Sequence, residues 1–376
     1  MSTPVRQRAK ILFVMPNFAG GGAERVAVTL LGQLDRRAFS PHLAVFDNQG
    51  PFRKLLPEDV TLHDLGQKRL RKALPKLIGL IRRERPAAVV ASQGYLNIAL
   101  LAVRPILPRA TRLALRESST PSLSLPNRPY PGFMRWAYRR YYRRADLVLC
   151  QHRQTEQEMS DLFGVAEERI GRLPNPVDVD ALRRLATPPL RRAGPGQRYV
   201  AAGRLSPEKG FDRLIALFAG LPAESHLTLY GQGRQEGSLA GEIRRLGLEG
   251  RVTLAGFTEH LPAALAGADA CVISSHWEGL PNVALESLAV GTPVIATPES
   301  GGIAELAEAA PEGAVTLAAW GEAFAAALRA CPPRTLEAPA PSLLPERYTL
   351  KEVAALFNAG LHGLAAGRDV LYEGQP

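Results

Sequence analysis

An α/β fold of two Rossmann-like domains facing across a cleft is the expectation for this chain, and three observations lead to it. The chain has 376 residues, about twice the size that one core fills comfortably. Short β-branched runs alternate along it with longer amphipathic runs, the rhythm of βαβ units and parallel sheets. That rhythm stops near the middle at a proline- and glycine-rich stretch and then restarts, so one such unit follows another. Ligands of open α/β sheets collect beyond the carboxyl ends of the strands, which places the expected chemistry in the cleft.

Taken in order, strands are expected at 10–15 (KILFVM), 42–46 (HLAVF), 87–92 (AAVVAS), 112–116 (RLALR) and 146–150 (DLVLC). Helices fall between them, for example over 24–34 and 70–85. The run ILFVMP at 11–16 is too short for a signal-peptide core and reads as a buried strand, and no apolar run reaches the roughly 20 residues of a membrane span. A cytoplasmic location is therefore expected. The domain boundary is expected near 173–182 (LPNPVDVDAL), followed by a loop over 186–197. Strands resume at 198–203 (RYVAAG), 226–231 (HLTLYG), 252–256 (VTLAG), 270–274 (ACVIS) and 293–297 (PVIAT). Residues 331–346 are rich in proline and read as irregular, and a final amphipathic helix from 349 is free to pack back on the first domain. The domains are thus read as 1–175 with 347–376, and 176–346.

Composition narrows the function. With 46% hydrophobic and 22% charged residues the chain belongs with folded globular proteins rather than disordered ones. Cys150, Cys271 and Cys331 are odd in number and widely spaced, which points to neither a disulfide framework nor a zinc site. The net charge of +10 is uneven: residues 1–180 hold 29 Lys and Arg against 16 Asp and Glu, and the remainder 17 against 20. An anionic partner is expected to meet the first half.

Chemistry is expected in the second half. In GRLSPEKGFDRLI, Arg204 leaves a strand end and Lys209 lies in the loop before a helix beginning near Phe211. Two cations and the free amides of a helix N-terminus can converge there on one anion, an arrangement that suits a diphosphate. Glu278 and Glu286 lie eight positions apart, the first in the loop EGLPN and the second on a helix starting near Asn282 or Val283. A carboxylate in the first turn or so of a helix is stabilised by the macrodipole and could accept from a vicinal diol such as a ribose. The turn Gly279, Leu280, Pro281, Asn282 would let backbone amides approach a ligand.

Other features carry less. The glycine turn PNFAGGGAERV lacks the dinucleotide spacing, although the amides of Gly21 and Gly22 could touch a phosphate or sugar. The DVD at 178–180 mimics a metal motif but falls where an aspartate caps a helix, and the histidines show no ligand spacing. No metal is expected.

With these residues in hand, the chain resembles the retaining glycosyltransferases of family four, which have the GT-B fold. The likeness spans nearly the whole chain through GGAERV, LPNPVD, GRLSPEKGFDRLI, RVTLAGF and EGLPNVALESLAVGTPVIAT, the last being the E-x7-E signature. The resemblance implies that Arg204 and Lys209 neutralise a nucleotide diphosphate, that Glu286 binds the ribose, and that Glu278 holds hydroxyls of the transferred sugar. It implies backbone contacts to the nucleobase from RVTLAGF, including Phe257, and places Gly21 and Gly22 across the cleft. A UDP-sugar is favoured over a GDP-sugar as donor, with no further cofactor. Several lipid-acting members carry a histidine where this chain has Arg116 and Glu117. Arg116 cannot serve as a base, and it is expected to position an anionic or polar group of donor or acceptor.

The acceptor is sought in the basic half. Lys68, Arg69, Arg71, Lys72 and Lys76 are interleaved with leucine and isoleucine, and residues 130–147 mix arginine with Trp, Tyr and Phe. Such segments suit an anionic membrane surface, so a lipid-linked saccharide on the inner face is the expected acceptor. The alternatives are an inverting transferase or nucleotide-sugar epimerase of the same architecture and, more remotely, a nucleic-acid-binding protein.

Overall fold

Alternate side chains of a strand point to opposite faces, and in a parallel sheet both faces must be covered. The first strand shows this directly: Leu12 and Val14 join one buried cluster while Ile11, Phe13 and Met15 join another. The computed structural model describes residues 8–19, 21–187, 195–334 and 340–367. It divides into two units, Met1–Pro176 with Lys351–Pro376, and Val177–Leu350.

Among the described residues the first unit holds β1 (Ala9–Met15), β2 (Phe39–Val45), β3 (Thr61–Asp64), β4 (Ala88–Ala91), β5 (Arg112–Glu117), β6 (Leu147–Cys150) and β7 (Ile170–Arg172). They pair in parallel in the order β3-β2-β1-β4-β5-β6-β7. Helix Leu70–Glu84 covers one face with Ala73, Leu77, Leu80 and Ile81, and helix Gly22–Gly32 covers the other. Helix Leu350–Ala365 packs on that second face, burying Val353, Phe357, Leu361 and Leu364 beside Phe13. The last helix therefore returns to the first domain, as its amphipathic pattern leads one to expect.

The second unit holds β8 (Arg198–Ala202), β9 (His226–Tyr230), β10 (Val252–Gly256), β11 (Ala270–Ile273), β12 (Val294–Ala296) and β13 (Val315–Leu317), paired in parallel in the order β10-β9-β8-β11-β12-β13. In each sheet the order reverses beside the first strand, between β1 and β4 and between β8 and β11. Such switch points open a crevice at the carboxyl ends of the strands.

Three strands escape the sequence pattern: β3, β7 and β13. Each is a sheet edge of three or four residues with half-exposed side chains, so none carries the apolar run that marks a buried strand. The loop expected over 186–197 and the proline-rich 331–346 lie partly outside the described residues. No described helix is long and apolar enough to cross a membrane.

Candidate active site

The switch point of the second unit lies between β8 and β11, and the chain leaving each strand supplies the polar side chains. Beyond β8, Arg204 is exposed and its guanidinium has no hydrogen-bond or ion-pair partner among the described residues. A 3₁₀ turn, Pro207–Lys209, then leads to Gly210 and helix Phe211–Phe218. Gly210 caps that helix at φ 61°, and a Cβ there would sit 2.3 Å from the carbonyl oxygen of Ser274. Only glycine tolerates both the left-handed backbone and this approach.

Lys209 and Glu278 meet across the switch point. Lys209 Nζ donates to Glu278 Oε1 at 2.7 Å, and the same oxygen accepts from Ser275 Oγ at 2.5 Å. The pair is largely shielded, with side chains 18% and 13% exposed. Backbone atoms fix the spacing: Ser274 Oγ donates to the Lys209 carbonyl at 3.0 Å, and the His276 amide donates to the Glu208 carbonyl at 2.8 Å. On the far side of the turn, a Cβ on Gly301 (φ 66°) would stand 2.4 Å from the Glu278 carbonyl, and the Gly302 amide donates to Gly279 O. Glycine at 301 is thus what lets two backbones pack together and hold the 278–282 turn.

The remaining expected donor residues separate by role. Leu280 and Pro281 are buried, Leu280 within the core, so their side chains face away from solvent. Asn282 opens helix Asn282–Ala289. Glu286 lies one turn in rather than in the first turn, where the helix has no acidic residue, and it is 8% exposed. Phe257 follows β10 and is exposed, two strands away from β8 on the same edge. Asp178 caps helix Val179–Leu185 by accepting from the Ala181 amide at 2.9 Å, which is the capping role its position suggests. All three cysteines are buried free thiols, and burial pushes Cys271 up to about 12.

In the first unit, Gly21 is the N-cap of helix Gly22–Gly32 beyond β1, and Gln93 stands beyond β4 at the other switch point. Gln93 Nε2 donates to Glu24 Oε1 at 2.5 Å, a link that no motif announces. Arg116, expected to meet donor or acceptor, is buried in the structure. Its side chain is 2% exposed and donates to Asn175 Oδ1 at 2.5 Å and to the Leu173 carbonyl at 3.5 Å, inside the unit. Burial lowers its guanidinium to about 10, which leaves it charged at neutral pH. It also lines a cavity of about 10 Å³ with Phe13, Ser92 and Phe357, room for one water molecule. The strand pleat explains the difference, because Arg116 points into the sheet's covered face rather than off the strand end. Its neighbour Glu117 points the other way and accepts from Tyr142 at 2.6 Å and Tyr138 at 3.0 Å, with burial raising its carboxyl.

Comparison with known proteins decides the family. Residues 20–181 match the model for Glycosyltransferase Family 4 and residues 189–331 that for Glycosyl transferases group 1. The lipopolysaccharide core biosynthesis glycosyltransferase LpsE of Rhizobium meliloti is 30% identical over 292 residues, 75% of this chain and 77% of that one. The chain belongs to the glycosyltransferases. A Campylobacter jejuni relative, the N-acetylgalactosamine-N,N'-diacetylbacillosaminyl-diphospho-undecaprenol 4-alpha-N-acetylgalactosaminyltransferase, is 26% identical to this transferase over 77% of the chain and 81% of its own. The Anabaena protein HepE, solved with UDP-glucose, superposes with a TM-score of 0.68 at 20% identity, covering 96% of this chain and 98% of its own. The transferase thus has the two Rossmann-like domains of a GT-B fold.

Proposed function

We propose that the transferase moves a hexose or N-acetylhexosamine, with retention of configuration, from a nucleoside-diphosphate sugar to a lipid-linked saccharide in glycan or lipopolysaccharide synthesis. One observation carries the reading: Lys209 and Glu278 pair at the β8/β11 switch point, with Arg204 just beyond β8, where a parallel sheet presents its ligand crevice. The relatives named for core lipopolysaccharide synthesis and for a diphospho-undecaprenol acceptor, and the neighbour holding UDP-glucose, support it. A UDP-sugar is therefore the favoured donor.

The chemistry follows from the charges. As the anomeric C–O bond to the diphosphate lengthens, negative charge gathers on the departing phosphate, and Arg204, Lys209 and the helix amides beyond Gly210 stabilise it. Lys209 has three N–H donors, so it can keep Glu278 and still face a phosphate. Glu278 holds hydroxyls of the moving sugar, Glu286 the ribose diol, and backbone groups of Gly279 and Asn282 the rest. Attack comes from the face the diphosphate leaves; the acceptor hydroxyl forms the new C–O bond and its proton passes to the departing phosphate oxygen. The amides of Gly21 and Gly22 serve a sugar or phosphate group.

The membrane role divides between two helices. On helix Leu70–Glu84 the buried residues are apolar, leaving Arg71 and Lys72, with Lys68 and Arg69 just before the helix, as an exposed basic face, while Lys76 donates to the Leu65 carbonyl at 2.8 Å. That face attracts anionic headgroups but has no apolar residue to insert. Helix Pro131–Tyr141 differs: Tyr130, Phe133 and Trp136 are 81%, 59% and 50% exposed, beside exposed Arg135, Arg139 and Arg140. It supplies the headgroup-level aromatics of a peripheral, inner-face enzyme. A thermal-shift panel of UDP-, GDP- and ADP-sugars identifies the donor, since a bound donor raises stability by mass action. NMR of the product's anomeric configuration then tests retention, and an inverted product overturns it.

A further inference from the structure

Helix Phe211–Phe218 faces the switch point with its N-terminus, the positive end of its dipole. Its third residue is nonetheless a cation, Arg213, at the end of the helix where a carboxylate would be the stabilising choice. No carboxylate lies within ion-pair distance of it among the described residues. Its hydrogens go instead to backbone oxygens: Nε and Nη2 donate to the Ser274 carbonyl at 2.9 and 2.7 Å, and Nη2 donates to the Ser275 carbonyl at 2.9 Å. The guanidinium carbon lies over the Trp320 ring, 4.3 Å from its centroid. Thr297 Oγ1 donates to the same Ser275 carbonyl at 3.0 Å, so that oxygen is doubly held.

The gripped residues are those that carry the site. Ser275 Oγ donates to Glu278, Ser274 Oγ donates to the Lys209 carbonyl, and the Ser274 carbonyl is the atom that forbids a side chain at Gly210. We infer that Arg213 is a positioning residue for the transfer reaction: stacked on Trp320, it clamps the end of β11 against the first turn of the helix and so sets the separation of Lys209 and Glu278. This rests on the function proposed above. On this reading Arg213 acts through the two serines rather than on the substrate. Lysine can reach one carbonyl but cannot span both while lying flat on an indole.

The test compares wild-type protein, Arg213→Lys and Arg213→Gln by steady-state turnover with the most active UDP-sugar, by UDP affinity, and by hydrogen exchange over 274–281. For Arg213→Gln the expected result is a kcat at least tenfold lower per folded molecule, a UDP Kd within threefold of wild type, and faster exchange confined to 274–281. Arg213→Lys is expected to recover part of both. Wild-type kcat in folded Arg213→Gln, or unchanged exchange over 274–281, would overturn the proposal. A wild-type protein that transfers from no donor overturns the functional reading instead, while the exchange data still decide whether Arg213 holds the turn.

Discussion

Lys209 and Glu278 are drawn together by more than their opposite charges. Their ion pair is shielded, and removing either partner from such a pair leaves a charge without compensation. Replacing Lys209 with Gln is expected to lower kcat by about 10²–10³, the loss seen when one donor to a developing negative charge is removed; a steady-state assay reads it. Gly210→Ala is expected to cost about 1–3 kcal/mol through its left-handed backbone, and more through the clash with the Ser274 carbonyl. Chemical denaturation measures that loss. The sequence marks Arg204, Lys209 and Glu278 as candidates because loop chemistry at a strand-to-helix turn is local. It says nothing of Arg213 or Gln93, whose partners lie far along the chain, nor of the burial of Arg116, because which side of a pleat meets core is decided by the helices packed on it.

Among the elements, the central strands and the longer helices can be read from the chain, whereas β3, β7 and β13 cannot, since each is only three or four residues long and carries no apolar run. One such edge holds a titratable pair. His42 on β2 and His63 on β3 stack with ring centroids 5.4 Å apart, and their Nδ1 and Nε2 lie 3.1 Å apart. Burial, and for His42 the neighbouring His63, hold both imidazoles below their ordinary 6.5; Lys10, Arg83 and Glu84 also act on the pair. The unfolded chain then binds protons that the folded pair refuses. The stability of the neutral pair is therefore complete above pH 6.5 and is lost as the pH falls through the lowered values. Denaturation between pH 7 and 5 is expected to show a loss of stability that His63→Gln reduces. Helix Pro131–Tyr141 makes a second claim at this scale. Replacing Phe133 and Trp136 with Ser is expected to abolish co-sedimentation with anionic vesicles and to leave the fold intact, because both residues are at least half exposed and outside the buried clusters. Unchanged sedimentation counts against its membrane role.

The molecule as a whole joins a basic first half to a slightly acidic second half, and the last helix ties the chain's end to its beginning. Phe357 is 1% exposed against Phe13, so Phe357→Ala is expected to destabilise the first unit by about 3–5 kcal/mol, measured by denaturation. The central claim lies in the second unit: Arg204 and Lys209, beyond β8 where the strand order reverses, are proposed to bind a diphosphate. Calorimetric titration of UDP into wild-type protein and into the Arg204→Gln/Lys209→Gln double variant tests it most directly. The account predicts saturable binding to the wild type and a Kd at least about a hundredfold weaker for the double variant, the consequence of losing two charge-assisted contacts. Equal affinity in the two proteins, with the variant folded, would contradict it.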